Sequence, residues 1–333
     1  MASSSSLPAK SSMDVDVDMD VDDTTSKAPV QQTQPEPSDT ASSKPADSLG
    51  PWLHPIECLI NGARDEPDAL LINTYESGAS ERHSYRQVWR RAYSIAQGLR
   101  ALAGWDDADH EVIGTFCESE VNWVFYSLAV WMLGKKTINF GLNLPPAARK
   151  ALCDRYSIKY ILHHCVKPGR TQGVTLVDAS TFPMLDDIPL PSLEACEPLD
   201  EFIAYACTSG TTGIPKTFIY SHYGPITARE SVGFTHCNIG ICQAPSFLAT
   251  LNLFLTALNL QGSAWIPRAT PNPVEKVRSI SKMLDDGLAY LFMPPSFLKL
   301  LIGVGVSENR HISLARNKKD PPWVRNRAPK RRL

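Results

Sequence analysis

Two apolar runs enclose a polar loop in the segment Phe202-Ile-Ala-Tyr-Ala-Cys-Thr-Ser-Gly-Thr-Thr-Gly-Ile-Pro-Lys-Thr-Phe-Ile-Tyr220. The first run, Phe202 to Cys207, has the length and composition of a β-strand, and Thr217 to Tyr220 has those of a second strand. The residues between the runs are almost all Thr, Ser and Gly, and Pro215 and Lys216 close the loop. The segment therefore predicts two strands joined by a loop rich in hydroxyls and backbone N–H groups.

Such a loop suits a polyphosphate ligand. Glycines allow the backbone to approach a phosphate closely and to turn its N–H groups inward. Hydroxyl groups add hydrogen-bond donors, and a lysine supplies a compact positive charge for a phosphate oxygen. The candidate phosphate-binding residues are Thr208, Ser209, Gly210, Thr211, Thr212, Gly213 and Lys216.

Two other interpretations of the loop stay open. Clusters of Ser, Thr and Gly are ordinarily surface turns without a ligand. The loop could also belong to an unrelated phosphate-binding protein of the P-loop kind, which needs G-x-x-x-x-G-K and a helix directly after it. Here Gly210 to Lys216 has the pattern G-x-x-G-x-x-K, and a strand is predicted to follow. A helix after Lys216 would favour that second interpretation.

The order T-S-G-T-T-G-x-P-K after a tyrosine-containing strand resembles the signature of the adenylate-forming, or AMP-binding, superfamily. Its members include acyl-CoA synthetases, luciferases and the adenylation domains of nonribosomal peptide synthetases. The resemblance implies that the loop wraps the β- and γ-phosphates of ATP, accompanied by Mg²⁺, while a carboxylate attacks the α-phosphate. One departure is Thr217, because most members carry Gly at that position.

Helix-like and strand-like segments alternate along the chain. Ser84 and Gln87 form a capping-box pattern that predicts the start of a helix, which Gly104 ends. Further helices are predicted at 118–133, 145–156, 230–237, 247–260, 274–284 and 295–302, and strands at 112–116, 137–140, 158–162, 174–178, 241–244, 264–266 and 289–293. The alternation favours βαβ units and a largely parallel sheet. With the resemblance, it predicts the fold class α/β: the N-terminal part of the adenylate-forming fold, truncated, with layered, mainly parallel sheets and flanking helices.

The resemblance also implies a partial carboxylate pocket around Gln243 to Leu248. Many members have an aromatic residue followed by His in this segment, whereas this chain has Phe247 followed by Leu248. Phe247 and Leu248 are therefore candidate acyl-pocket residues, with ordinary helix packing as an equal alternative. The departure leaves the acyl substrate open.

Composition argues against several classes of function. The formal net charge of −2 gives the 333-residue chain no bulk attraction for nucleic acid or for a membrane surface. Eight scattered cysteines without a C-x-x-C pair suit reduced thiols and a cytoplasmic location. The N-terminus has no signal-peptide pattern, and the longest apolar stretch, 247–260, is too short for a membrane span. The group His163-His164-Cys165 is interpreted as a strand end, so no metal site is predicted.

The chain divides into three predicted regions. Residues 1–48 form a disordered acidic and Ser-rich tail, 49–305 an incomplete AMP-binding (adenylation) domain, and 306–333 a basic irregular tail. The resemblance ends near residue 303, and the Gly-rich turn, the aromatic-Gly-x-Thr-Glu motif and the late Lys of the superfamily do not follow. A shifted reading frame or a retained intron is the favoured origin of the basic tail. A solvated tail without a role and a nuclear-localisation or nucleic-acid patch are the alternatives.

The resemblance implies ATP-dependent adenylation of a carboxylic acid, the first half-reaction of a ligase similar to acyl-CoA synthetases or nonribosomal peptide synthetases. Transfer to the thiol of coenzyme A or of a carrier protein would follow, which implies an AMP-forming acid–thiol ligase. The family residues for adenine, ribose and the reacting carboxylate are missing, so no catalytic residue is assigned. We expect little or no adenylation by this chain alone. The alternative is a non-catalytic remnant that binds a nucleotide or a partner.

Overall fold

The computed structural model describes residues 53–75, 79–105, 110–117, 121–164, 166–208, 215–222, 237–270, 272–293, 298–299 and 301. The helices are α1 Pro55–Asp65, α2 Tyr85–Arg100, α3 Val121–Met132, α4 Pro146–Arg155, α5 Leu248–Asn259 and α6 Pro273–Asp285. The strands are β1 Leu70–Thr74, β2 Glu81–Ser84, β3 Val112–Phe116, β4 Lys136–Asn139, β5 Tyr160–His163, β6 Thr175–Val177, β7 Phe202–Thr208, β8 Lys216–Ser221, β9 Asn238–Ile241, β10 Ser263–Ile266 and β11 Tyr290–Phe292.

The strands form two sheets that are both mostly parallel. The first sheet has the order β11-β9-β10-β1-β2, and of its described pairs only β1–β2 is antiparallel. The second has the order β6-β5-β3-β4-β7-β8, and of its described pairs only β7–β8 is antiparallel. The predicted α/β class with mainly parallel sheets is confirmed.

Helices and sheets alternate in layers. The largest apolar cluster joins α1, α2, α3 and α5 to residues of β1 and β10 on one side and of β3 and β7 on the other. A second apolar cluster contains Val277 of α6 and Trp265 of β10, and a third contains Leu152 of α4 and Ile138 of β4. Of the described helices, α1, α2, α3 and α5 therefore lie between the two sheets, while α6 covers the outer face of the first sheet and α4 that of the second.

The sequence of α3, V-N-W-V-F-Y-S-L-A-V-W-M, is apolar on every side, as is typical of a fully buried helix. Two of its polar side chains are bonded to neighbouring strands. Trp131 Nε1 donates to the carbonyl of Ile203 in β7 at 2.8 Å, and Tyr126 Oη donates to that of His163 in β5 at 3.2 Å. These bonds hold β5 and β7 against the same helix.

Three elements that precede α2, namely α1, β1 and β2, were not predicted from the sequence. The first helix begins after His54, whose Nδ1 accepts a hydrogen bond from Ile56 N at 3.1 Å, while His54 N donates to Glu57 Oε2 at 2.6 Å. This is a capping box built on histidine, which is not among the residues that usually cap helices. Its sequence pattern was therefore not recognised.

The histidine cap predicts a pH-dependent stability. Burial, followed by the charge of His222, lowers the pKa of His54 from 6.5 to about 3. The folded state therefore keeps His54 neutral, and the unfolded state binds an extra proton below pH 6.5. This contribution is present above pH 6.5 and is lost as the pH falls toward 3. The loss of this contribution between pH 7 and pH 5 should lower the free energy of unfolding by about 2 kcal/mol.

Urea unfolding at several pH values measures this loss. His54→Asn keeps a capping acceptor but does not titrate in this range, so its stability should depend less on pH than that of the wild type. Equal pH slopes for the two proteins would contradict the assignment.

The strand predicted at 241–244 was placed three residues too late, because β9 spans Asn238–Ile241. Gly240, a residue type that is unfavourable in strands, lies close to side chains at β11. A Cβ at Gly240 would lie 2.8 Å from Leu291 Cδ1. Parallel neighbours on both sides, β10 and β11, thus determine the strand position more strongly than local propensity does.

Several predictions fall outside the described residues. They are the disordered tail at 1–48, the basic tail at 306–333, residues 118–120 of a predicted helix, the helix predicted at 230–237 apart from its last residue, and most of that predicted at 295–302. Within the described ranges, no helix has both the length and the apolar character needed to cross a bilayer. The same ranges contain no group of three or more His, Cys, Asp or Glu residues arranged to hold a metal ion.

Candidate functional site

The polar loop joins two antiparallel strands. Thr208, the last residue of β7, is the ladder partner of Lys216, the first residue of β8. The strand predicted after the loop is confirmed, so the arrangement differs from the strand–loop–helix of a P-loop. Of the predicted phosphate ligands, Thr208 and Lys216 thus lie opposite each other at the base of the loop. Ser209, Gly210, Thr211, Thr212 and Gly213 lie outside the described residues.

Tyr156, at the C-terminal cap of α4, contacts both strands below the loop. Its ring centroid lies 4.3 Å from that of Tyr205 in β7, and its hydroxyl is hydrogen-bonded to Thr217 Oγ1 in β8. Thr217 pairs with Cys207, one ladder position from the base of the loop. The threonine that replaces the usual glycine therefore supplies the hydroxyl that ties the second arm of the hairpin to α4.

The other end of β8 is held by α5. The hydroxyl of Tyr220 donates to Oδ1 of Asn252, and the Tyr220 ring is buried in the main core. The hairpin therefore contacts a helix on each face of the second sheet. The strands on each side of the loop are therefore held in position by α4 and α5.

The strands β3, β4 and β7 run parallel to one another, so their carboxyl ends lie at the same edge of the second sheet. There, the buried Thr115 Oγ1 of β3 donates to Asn139 Oδ1 of β4. The helices that follow these two strands, α3 and α4, lie on opposite faces of the sheet. In open α/β sheets a crevice forms where successive helices change faces, and ligands bind there.

The two sheets approach each other at this edge. Gly141 follows β4 and lies against Ser246, which follows β9, so that a Cβ on Gly141 would be 3.3 Å from Ser246 Oγ. The connection after β9 carries Phe247. The structure therefore brings the predicted acyl-pocket segment to the edge from which the polar loop emerges.

Phe247 and Leu248 have different environments. Leu248 packs against the main core, so helix packing describes its position. Phe247 is 58% exposed, and its backbone is fixed by a turn in which Phe247 N donates to the Ala244 carbonyl at 3.0 Å. Thr250 Oγ1 donates to the same carbonyl at 2.8 Å. The Phe247 ring is thus held at the surface, and a role in acyl binding remains a prediction.

The Cys207 and Tyr205 side chains of β7 carry no negative charge that would repel an anionic ligand. Burial raises the pKa of the Cys207 thiol to about 11, and burial also raises the pKa of the Tyr205 hydroxyl. Both groups are therefore uncharged at neutral pH. Lys216 is exposed at the mouth of the loop, so the local charge favours a phosphate.

If the loop binds the phosphates of ATP, as the resemblance implies, removal of the Tyr156 hydroxyl is expected to weaken that binding. Tyr156→Phe breaks the bond to Thr217, and since a neutral hydrogen bond contributes about 1 kcal/mol, the affinity should fall by at most roughly fivefold. Thr217→Val should have a similar effect, and the double variant should lose little more because both changes remove the same bond. Titration calorimetry with MgATP measures the three affinities.

Tyr93→Phe is the matched control, because it removes a tyrosine hydroxyl from α2, where the ring stacks on Trp89. It should leave the affinity unchanged. Strictly additive losses in the double variant would show that Tyr156 and Thr217 act separately.

The chain is similar in sequence to known proteins. The chain is 23% identical over 266 residues to the 4-chlorobenzoate–CoA ligase of an Arthrobacter species, covering 74% of this chain and 49% of the ligase. It is 24% identical over 179 residues to the nonribosomal peptide synthetase sirP of Leptosphaeria maculans, covering 49% of this chain and 7% of the synthetase. The chain thus spans about half, or much less, of the length of these relatives.

A solved structure shares the fold. The N-terminal subdomain of Klebsiella oxytoca NpsA, in complex with 3-hydroxybenzoyl-AMSN, superimposes with a TM-score of 0.59 at 17% identity, covering 75% of this chain and 62% of that one. The family model described as AMP-binding enzyme matches residues 61–321, which includes residues beyond the expected end of the resemblance near 303. Because this match covers most of the chain, the protein belongs to the family of AMP-binding enzymes.

Proposed function

We propose that the chain provides the ATP-phosphate site of an enzyme that adenylates a carboxylic acid. The observation that carries the proposal is the β7–β8 hairpin, which places Thr208 and Lys216 at the base of a Ser/Thr/Gly loop and is held by Tyr156. The loop emerges at the sheet edge where α/β proteins bind ligands. Membership in the AMP-binding family supports a nucleotide as that ligand.

In this proposal the loop binds the β- and γ-phosphates through its hydroxyls and backbone N–H groups. Lys216 would offset charge on the pyrophosphate as it leaves, which stabilises the transition state more than the ground state. The hydrogen-bond donors of the loop suit phosphate oxygens. Mg²⁺ itself is bound by oxygen atoms of carboxylates and phosphates, and the phosphates of the nucleotide would supply such oxygens. Mg²⁺ therefore fits as a companion of the nucleotide, where it would neutralise phosphate charge.

The acid and the acceptor belong to the same proposal. The exposed Phe247 ring supplies an apolar surface on the connection after β9, and an acyl or aryl acid is the substrate class that suits it. A CoA ligase and a nonribosomal peptide synthetase are among the relatives, which supports coenzyme A or a carrier-protein thiol as acceptor. A cytoplasmic location suits such an enzyme.

ATP–pyrophosphate exchange with a panel of acyl and aryl acids tests this function. We expect the 333-residue chain to bind MgATP with little or no exchange, because its sequence contains no aromatic-Gly-x-Thr-Glu motif. Robust exchange by the chain alone would contradict the expected inactivity. Failure to bind MgATP would contradict the phosphate site itself.

The second candidate is a nucleotide-binding remnant without catalysis. The coding sequence after Val306 distinguishes this remnant from an adenylating enzyme. If the transcript continues into an aromatic-Gly-x-Thr-Glu motif and a late Lys, the longer protein should catalyse exchange. If it keeps the present basic sequence, binding without exchange would support the remnant.

A further inference from the structure

Arg149 is a buried cation without a carboxylate partner in the part of the chain that the structure describes. Its side chain lies in α4, and the residue is only 3% exposed. Nη2 donates to the Gly169 carbonyl at 3.0 Å and Nε to Thr171 Oγ1 at 3.4 Å. The guanidinium carbon lies 5.4 Å from the ring centroid of Phe116. Both hydrogen-bond acceptors are neutral, so they do not balance the charge.

A buried charge is costly unless an opposite charge accompanies it. A guanidinium also carries five N–H donors in a planar fork, more than these two bonds use. The arrangement at Arg149 therefore has both a positive charge and donors to offer a further acceptor. Planar forks of this kind match the oxygens of carboxylates and phosphates.

A cavity of about 570 Å³ lies at the segment that Arg149 contacts through Thr171. Its lining residues are Lys167, Arg170, Thr171, Gln172, Val174 and Leu176. Thr171 belongs both to this lining and to the hydrogen bonds of Arg149. The lining contains two cations and two neutral polar side chains but no acidic side chain.

We propose that this cavity is an anion site that binds a phosphate group. Lys167 and Arg170 supply charge as exposed lining residues, and Thr171 and Gln172 supply neutral polar groups. Arg149 does not line the cavity, but it adds positive charge behind Thr171, to which it donates a hydrogen bond. The site lies in the connection between β5 and β6 and is separate from the β7–β8 loop. It does not depend on the proposed adenylation.

Calorimetric titration with inorganic phosphate tests the proposal in the Lys216→Ala background, which weakens phosphate binding at the β7–β8 loop. We expect saturable binding in this background. Adding Lys167→Ala and Arg170→Ala should weaken it at least about tenfold, because two charge-assisted interactions are lost. Both side chains are exposed, so thermal unfolding should be unchanged.

Lys150→Ala is the matched control. Lys150 is an exposed cation of α4 that directly follows Arg149 and is paired with Asp154. Its removal should leave phosphate binding unchanged. Arg149→Lys keeps the charge but removes the fork, and should weaken binding without abolishing it. If Arg149 serves only to fasten the loop, the Lys216→Ala protein shows no saturable binding, or the Lys167/Arg170 variant binds as tightly as the control, and the proposal fails.

The same titration with AMP distinguishes the source of the phosphate. A Kd for AMP that is lower than that for inorganic phosphate, and that depends on Lys167 and Arg170, identifies an esterified phosphate as the ligand. A lower Kd for inorganic phosphate with the same dependence identifies the free ion. Either result supports the site.

Discussion

Gly262→Ala is expected to lower the free energy of unfolding by about 3 kcal/mol or more, because backbone atoms occupy the space that the new methyl group would need. A Cβ at Gly262 would lie 2.1 Å from the Cys237 carbonyl oxygen and 2.8 Å from its nitrogen. Neither atom can move freely, since the same carbonyl accepts a hydrogen bond from Ser263 N at 2.9 Å at the start of the β9–β10 pair. Urea unfolding measures the loss.

Gly169→Ala is the control for this substitution. Its added Cβ would lie 3.7 Å from Arg149 Nη2, an ordinary contact distance, and it should change stability by less than about 0.5 kcal/mol. Similar losses in the two variants would show that the effect comes from glycine replacement in general and not from contact with Cys237.

Lys216→Ala should weaken MgATP binding about 10-fold to 100-fold, because a hydrogen bond to a charged group contributes roughly 1.5–3 kcal/mol. Lys216 is exposed, so the substitution should leave the fold intact. The affinity should also fall as salt increases in the wild type, and less steeply in the variant. Calorimetry at two ionic strengths measures both effects.

Lys159→Ala provides the comparison, because it removes an exposed lysine just before β5, at the opposite edge of the second sheet. Its ATP affinity should match that of the wild type. An equal loss in both variants would mean that the overall charge of the protein, and not the position of Lys216, determines binding.

Local patterns predicted much of the fold. The capping box at Ser84 and Gln87 is present in the structure, and the strand predicted at 112–116 coincides with β3. Both segments have a regular apolar pattern and a clear boundary, which are properties of the local sequence. The hairpin strands on each side of the polar loop were predicted for the same reason.

Contacts between distant segments could not be predicted in this way. Tyr156 was read only as the end of a helix, and its bond to Thr217 depends on how α4 crosses the second sheet. The approach of Gly141 to Ser246 depends on the placement of one sheet against the other. The two strands that carry the loop were therefore predictable from the sequence, whereas the groups that position these strands were not.

The pairing of β1 with β10 has a consequence for the order in which the chain folds. Tyr85 Oη, for example, donates to the Gly262 carbonyl across 177 residues, whereas β7 and β8 are neighbours in sequence. Pairings between distant segments form slowly because a long loop must close first. During synthesis β1 emerges well before β10. Its apolar residues Leu71 and Ile72 therefore lack their partner strand until β10 has been synthesised. A nascent chain that has not reached residue 263 is thus expected to have its β7–β8 hairpin while the first sheet still lacks β10.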